Sequence, residues 1–118
     1  MLRKLLKSKL HRATLTGAEL HYEGSLGVDE DLLKAAGLQP NEAVHVWNVN
    51  NGSRLQTYVV PAPAGSGAVC LYGSVARKGQ AGDVVIIAAF GWMDEEEARV
   101  HRPQVVLLGE GNQVKAVR

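Results

Sequence analysis

Ser25 follows Gly24 directly, and this pair has what a chain needs to attack its own backbone. The Ser25 hydroxyl lies beside the Gly24 carbonyl, and well-oriented groups of this kind reach effective molarities of roughly 10⁵–10⁸ M. Glycine leaves that carbonyl unshielded and tolerates strained dihedrals. Attack would give an ester between Gly24 and the Ser25 oxygen. β-Elimination of the ester would leave dehydroalanine at a new amino terminus, and hydrolysis would convert it to a pyruvoyl group. Such a ketone condenses with an amine to an electron-withdrawing iminium and so stabilises a carbanion without pyridoxal phosphate. Taken alone, Gly-Ser is also an ordinary turn dipeptide.

Other residues carry potential chemistry. Arg54 could hold a carboxylate through two parallel hydrogen bonds, although by itself it reads first as a solvated strand-edge arginine. Tyr58 lies four residues further on, so strand alternation puts both on one face, while Thr57 should point the opposite way. Lys9 is by default a surface lysine and His11 a structural histidine. Tyr22 and Glu23 read equally as an aromatic and an acid that shape the loop, or as a buried ring and a solvated charge. His11, His21, His45 and His101 have no metal-ligand spacing and Cys70 is isolated, so no metal site is expected. Phosphate-loop, dinucleotide and nucleophile-elbow motifs are absent.

The elements that must position these residues are mostly strands. Leu2 to Leu15 alternates basic and apolar residues as a strand with one buried face, which puts Lys9 and His11 on one side. Thr16-Gly17 breaks the run, and Glu19 to Glu23 forms a short segment before the Gly24-Ser25 loop. Asp29 is a helix N-cap, Leu32, Leu33, Ala35 and Ala36 give the apolar face, and Gly37 with Pro40 closes about two turns. Ala43 to Trp47 and Arg54 to Val59 flank Asn50-Asn51-Gly52, a hairpin signal because asparagine and glycine accept positive φ. Pro61 to Gly67 reads as a loop. Further strands are expected at Ala68 to Tyr72, Asp83 to Phe90 and Gln104 to Leu108, with a short acidic helix from Asp94 to Arg99. Many short strands with little helix suggest a barrel. Gln39 to Val46 echoes Gln80 to Ile87, both reading as a turn that enters a buried strand.

Composition bounds the reading. The 118 residues, 46% of them hydrophobic, suffice for one domain with a core but not two. A net charge of +1 gives no general attraction to nucleic acid or anionic membrane. Cys70 is the only cysteine, lies in an apolar run and is expected to be buried as a small hydrophobe, which fits a reducing cytoplasm. Arg3, Lys4, Lys7 and Lys9 interrupt the amino-terminal apolar stretches, so no signal peptide is expected. The longest apolar run, Val84 to Phe90, is far below the roughly 20 residues of a spanning helix.

Lys9-Leu10-His11-Arg12, His21-Tyr22-Glu23-Gly24-Ser25, Trp47-Asn48-Val49-Asn50-Asn51-Gly52, Thr57-Tyr58, Gly82-Asp83-Val84-Val85-Ile86-Ile87-Ala88, Glu96-Glu97-Ala98-Arg99 and Arg102-Pro103 occur in an order and spacing that resembles the pyruvoyl-dependent aspartate decarboxylase family over most of the chain. The resemblance implies a mainly β fold, a six-stranded double-psi β-barrel with short helices, spanning 1–118 as one domain. It also implies a proenzyme cut between Gly24 and Ser25 into a 1–24 β chain and a 25–118 α chain, and a homotetramer with active sites between subunits. The implied cofactor is the pyruvoyl group from Ser25, with neither metal nor pyridoxal phosphate. The implied activity is decarboxylation of L-aspartate to β-alanine for pantothenate and coenzyme A synthesis. Among the implied site residues, Ser25 carries the reactive carbonyl, Tyr58 is the proton donor, and Thr57 hydrogen-bonds the Gly24 oxygen at the cleavage loop. Lys9, His11, Arg54, Thr57, Gly73, Ser74 and Val75 line the substrate site. Simple alternation does not put Thr57 and Tyr58 in one site, so either the strand bulges or the site lies between subunits; the family's shared sites favour the second.

One departure stands out: the family's usual Asn-Gly-Ala-Ala-Ala is here Tyr72-Gly73-Ser74-Val75-Ala76, which would alter rate or selectivity. Leu26 also replaces a residue that is often small or polar. Two other functions stay open on the residues alone. One is a noncatalytic barrel module whose Arg3 to Arg12 arm binds nucleic acid or protein, which salt-dependent DNA binding by an uncut chain would reveal. The other is a processed decarboxylase of another small acidic amino acid such as glutamate.

Overall fold

The computed structural model describes all residues, Met1–Arg118. Its nine strands are β1 (Arg3–Thr14), β2 (Gly17–Glu19), β3 (Ser25–Asp29), β4 (Ala43–Asn48), β5 (Arg54–Ala62), β6 (Val69–Tyr72), β7 (Val84–Met93), β8 (Gln104–Leu108) and β9 (Val114–Val117). They hydrogen-bond in the order β2-β6-β3-β5-β4-β7-β1-β8-β9. Two short helices, α1 (Glu30–Ala36) and α2 (Glu95–Val100), and 3₁₀ turns at Gly73–Lys78 and Glu110–Asn112 complete a mainly β chain.

The expected hairpin forms between β4 and β5, paired without a bulge from Ala43 with Tyr58 to Trp47 with Arg54. Its turn works differently from the expectation. Only Gly52 takes positive φ, at 76°; Asn48 accepts the backbone N–H groups of Asn50 and Asn51 on Oδ1, and Asn51 Oδ1 accepts that of Ser53. The asparagines serve as side-chain acceptors rather than as left-handed residues.

β1 alternates as predicted but resets twice, between Leu6 and Ser8 and between Leu10 and Ala13, where Arg12 takes φ 63°. These bulges keep Ser8, Leu10 and Ala13 on the buried side. Lys9 and His11 share a face, since β1 pairs β8 in unbroken parallel register from Ser8 to His11.

Three strands were not expected: β2, β3 and β9. Ser25–Asp29 is buried at every position, so it lacks the alternation that marks a half-exposed strand. It lies between β5, in parallel, and β6, antiparallel. α1 follows as predicted, with Asp29 as N-cap and Gly37 in the left-handed region at its end. α2 has a full capping box, Asp94 with Glu97. Cys70 is half-buried on the outer face rather than buried in the core, because the Val69 and Leu71 side chains take the inner positions of β6.

The two echoing segments make the same bonds. The Asn41 N–H donates to the Val59 carbonyl and the Val59 N–H returns to Glu42, at 2.7 and 3.1 Å; the Gly82 N–H donates to Leu15 and the Leu15 N–H returns to Asp83, each at 2.8 Å. Within each turn a carboxylate, of Glu42 or Asp83, accepts the backbone N–H three residues earlier. Each turn thus exchanges two backbone hydrogen bonds with a residue distant in the chain, Val59 of β5 or Leu15 just past β1. Nineteen buried apolar residues, among them Leu10, Leu26, Val44, Val59, Leu71 and Ile87, form one cluster inside this frame.

Asp29 ties the carboxyl end of β3 to the 65–67 loop. Its carboxylate accepts backbone N–H groups from Asp31, Gly65 and Gly67 at 2.8–3.1 Å. Burial alone would raise its pKa, but the donors of Gly67, Asp31, Gly65 and Leu32 outweigh it and hold the carboxyl below the usual range. A depressed folded-state pKa means that the contribution is complete above the unfolded-state value, about 3.9, and is lost as pH falls through the folded-state value. Asp29→Asn should therefore cost about 1–3 kcal/mol near neutrality and flatten the acid limb of a melting-temperature profile. Parent and variant melting in parallel from pH 7 to 2 would contradict this.

Candidate active site

Ser25 opens β3 and is 5% exposed, while Gly24 before it is exposed. The bond joining them therefore sits where the chain passes from surface loop to buried strand. On one side, Ser25 is paired with Tyr72 of β6. On the other, the parallel ladder with β5 begins at Leu26 with Val59, so Thr57 and Tyr58 lead up to the start of that ladder on β5 as Gly24 and Ser25 do on the β3 side. Thr57 is half-buried and Tyr58 is 41% exposed, as alternation requires.

Gly73 closes the third side. It is buried, has φ 76°, and a Cβ there would stand 2.7 Å from Gly24 Cα, 2.9 Å from Gly24 N and 3.0 Å from the Tyr22 carbonyl oxygen. Only a residue without a side chain lets the two backbones approach so closely. Exposed Ser74 and half-buried Val75 follow in the 3₁₀ turn, which packs against β2, β5 and β6. Gly24, Ser25, Thr57, Tyr58, Gly73, Ser74 and Val75 are thus gathered at one end of the sheet.

Arg54, Lys9 and His11 are not gathered there. Arg54 shares the outer face of β5 with Tyr58 but lies about 13 Å away along the strand. Its guanidinium rests on the Trp47 ring, 4.8 Å from the centroid, a cation–π contact. Together with Lys4, His45, Gln56 and Phe90, this pair lines an open cavity of about 510 Å³. Trp47 was not singled out as a partner of Arg54 in the sequence, although both are the same number of steps from the hairpin turn and so face each other. Lys9 lies in the row Lys9–Ala88–His45–Gln56, three strand spacings or about 14 Å from β5 along the sheet. His11 has a buried Nδ1 with no hydrogen-bond partner. Burial first, then the charges of Lys9, Arg12 and Arg118, lower its pKa and favour the neutral ring at pH 7.

Tyr72, where the family resemblance breaks, joins the cleavage end. Its ring stacks on Tyr22 at 4.8 Å between centroids and lies over Gly27, where a Cβ would meet Cε2 at 2.7 Å. Burial, then a hydrogen bond with Cys70 and the nearby Cys70, Glu19 and Tyr22 charges, raise its pKa, keeping the phenol neutral. No three His, Cys, Asp or Glu side chains come together as a metal site, and no helix is long and apolar enough to cross a membrane.

Residues 1–115 match the family model described as aspartate decarboxylase. The chain belongs to the aspartate decarboxylase family. The aspartate 1-decarboxylase of Leptothrix cholodnii is 58% identical over all 118 residues, which cover 90% of that protein. That of Bordetella pertussis is 52% identical over the whole chain and 97% of its own length. That of Hyphomonas neptunium is 54% identical over 98% of both chains.

The close approach at Gly73 predicts that Gly73→Ala destabilises the fold by about 1–3 kcal/mol, through positive φ and overpacking. It should also raise amide hydrogen exchange in β3, whose ladder begins at Ser25 beside the 3₁₀ turn. Unchanged melting and exchange would mean that the 3₁₀ turn and the loop are not in contact in solution.

Proposed function

We propose that this chain is the proenzyme of a pyruvoyl-dependent aspartate 1-decarboxylase, which converts L-aspartate to β-alanine and carbon dioxide after cutting itself between Gly24 and Ser25. The observation that carries this reading is the position of that one bond, at a surface-to-core boundary with Tyr72 paired to Ser25 and Gly73 against Gly24; continuing the β3–β5 register back past Leu26 and Val59 would bring Tyr58 and Thr57 alongside. Family membership supplies the substrate. Ser25 is buried, and a pyruvoyl group made from it has no more heavy atoms than the serine, so the residues present fit that group in the space Ser25 already fills. That group supplies a terminal ketone that draws electrons from the α-carbon of a bound amine.

The chain's own residues do the rest. Thr57, which the continued β3–β5 register would bring beside Gly24, hydrogen-bonds the Gly24 oxygen during the cut. Arg54 anchors the substrate's retained β-carboxylate, with Lys9 as a second cation and neutral His11 beside it on the same face. Tyr58, neighbour of residue 25, gives its phenolic proton to the α-carbon once carbon dioxide has left. The backbone of Gly73, Ser74 and Val75 borders the substrate. The roughly 13 Å along β5 from Arg54 to Tyr58, and the roughly 14 Å across the sheet from Lys9 to β5, exceed the length of an aspartate. We therefore assign Arg54 and Lys9 of one copy to Ser25 of a neighbour, in a homotetramer with shared sites.

The same reading takes the fold as one domain, a six-stranded double-psi barrel cut into 1–24 and 25–118; the support is the reciprocal locking of the 39–42 and 80–83 turns. It places the enzyme in the cytoplasm, where the single Cys70 stays reduced, supplying β-alanine for pantothenate and coenzyme A synthesis.

Intact-mass analysis should show fragments ending at Gly24 and beginning at modified residue 25, and Ser25→Ala should remain one chain. Material that stays full length after prolonged warming and releases no carbon dioxide from aspartate would overturn the proposal. Tyr58→Phe should still cut but lose roughly 10²-fold or more in turnover; unchanged turnover would remove it as proton donor. Subunits carrying Ser25→Ala, co-assembled with subunits carrying Arg54→Ala, should recover turnover that neither has alone. No recovery in mixed tetramers would place each site within one chain.

A further inference from the structure

Leu20–Gly24, the segment on the amino side of the proposed cut, takes part in no backbone–backbone hydrogen bond. What meets it is the Gly73 backbone and one ring pair. Tyr22 is 63% exposed, yet its ring is stacked at 4.8 Å and 30° on Tyr72. Tyr72 in turn is held firmly. Its backbone is paired with Ser25, and its ring passes so close to Gly27 that a Cβ there would meet Cε2 at 2.7 Å. It is a fixed platform on the carboxyl side of the Gly24–Ser25 bond, with Tyr22 resting on it from the amino side.

We propose that the Tyr22–Tyr72 stack is the positioning clamp for self-cleavage: it holds the otherwise unbonded Leu20–Gly24 segment so that the Gly24 carbonyl stays within reach of the Ser25 hydroxyl. This rests on the self-cleavage reading above. In that step a bond forms between Ser25 Oγ and the Gly24 carbonyl carbon as the Gly24–Ser25 C–N bond breaks, and the hydroxyl proton passes to the Ser25 nitrogen. Elimination then removes a proton from Ser25 Cα and releases the Gly24 carboxylate, and water replaces the nitrogen, which leaves as ammonia. None of this involves a tyrosine hydroxyl. The rings act by fixing a loop whose freedom would otherwise dilute the attack geometry, since the rate advantage of neighbouring groups depends on their being held in place. The aromatic residue at 72, where the family usually carries asparagine, supplies the platform in this chain.

The test follows the precursor itself. Full-length chains carrying Tyr22→Leu, Tyr72→Leu, both changes, Tyr22→Phe or Tyr72→Phe are isolated uncut, and the 25–118 fragment is timed by intact mass, with a melting temperature for each precursor. Each leucine variant should cut roughly three- to tenfold more slowly, the scale of an aromatic pair's interaction expressed as a rate. The double variant should be no slower than the slower single, and the phenylalanine variants should stay within about twofold of the parent. A merely structural role would slow cutting only as far as melting fell, and would not reproduce the rescue by phenylalanine. The Tyr22→Leu arm changes an exposed loop residue and keeps the experiment decisive even if Tyr72→Leu does not fold. If the parent cuts and Tyr22→Leu keeps pace with it, the clamp is refuted. A slow Tyr22→Phe, or losses that multiply in the double variant, would refute it as well. A parent that never cuts refutes instead the self-cleavage reading.

Discussion

The placement of one strand governs this molecule. β3 is five residues long, buried throughout, and hydrogen-bonded on both edges, in parallel to β5 and antiparallel to β6. A strand with two partners and two covered faces cannot slip by a residue without moving its apolar side chains to the wrong face. Its first residue, Ser25, is therefore fixed in three dimensions although the segment before it is not. Close packing around that residue depends on backbones that carry no Cβ: Gly27 lets the Tyr72 ring approach, and Gly73 lets the turn after β6 touch Gly24.

Rigidity and freedom are divided accordingly. The two echoing turns each donate a backbone N–H to a residue distant in the chain, Val59 or Leu15, and receive one back, so neither contact can open without exposing unpaired donors and acceptors. The Asp29 carboxylate fastens the far end of β3 to the 65–67 loop. Against this frame, Leu20–Gly24 carries no ladder bonds and is met by an aromatic stack and a glycine backbone. A chain that is to break one of its own peptide bonds needs this division, with a stiff nucleophile and an adjoining carbonyl held in place by removable contacts.

The charged groups obey a different geometry. Arg54 lies on Trp47 and Lys4 near Phe90 and Trp92, all on the outer face of the sheet and all remote from Ser25 along it. Cations spread over aromatic rings on an open face bind an anion weakly in bulk water, where Coulomb attraction is screened. Arg54 covered by a second copy would act in a drier site, which is the physical reason for proposing that it serves a neighbour's Ser25.

Local sequence determined the parts whose causes are local. The Asp29 cap with Gly37, the Asn-Gly hairpin, the alternation of β1 with Lys9 beside His11, and the echo of Gln39 to Val46 in Gln80 to Ile87 all follow from residues a few positions apart, and motif order alone pointed to the family. Tertiary structure decided what depends on partners distant in the chain. Ser25–Asp29 did not read as a strand because a segment buried on both faces has no alternation. Alternation separates Thr57 from Tyr58, and the parallel pairing of β5 with β3 that starts one residue later, at Val59 with Leu26, is something no local pattern encodes. Tyr72 read only as a departure from a motif, since a ring's stacking partner fifty residues away is chosen by the strand pairing that brings the two together.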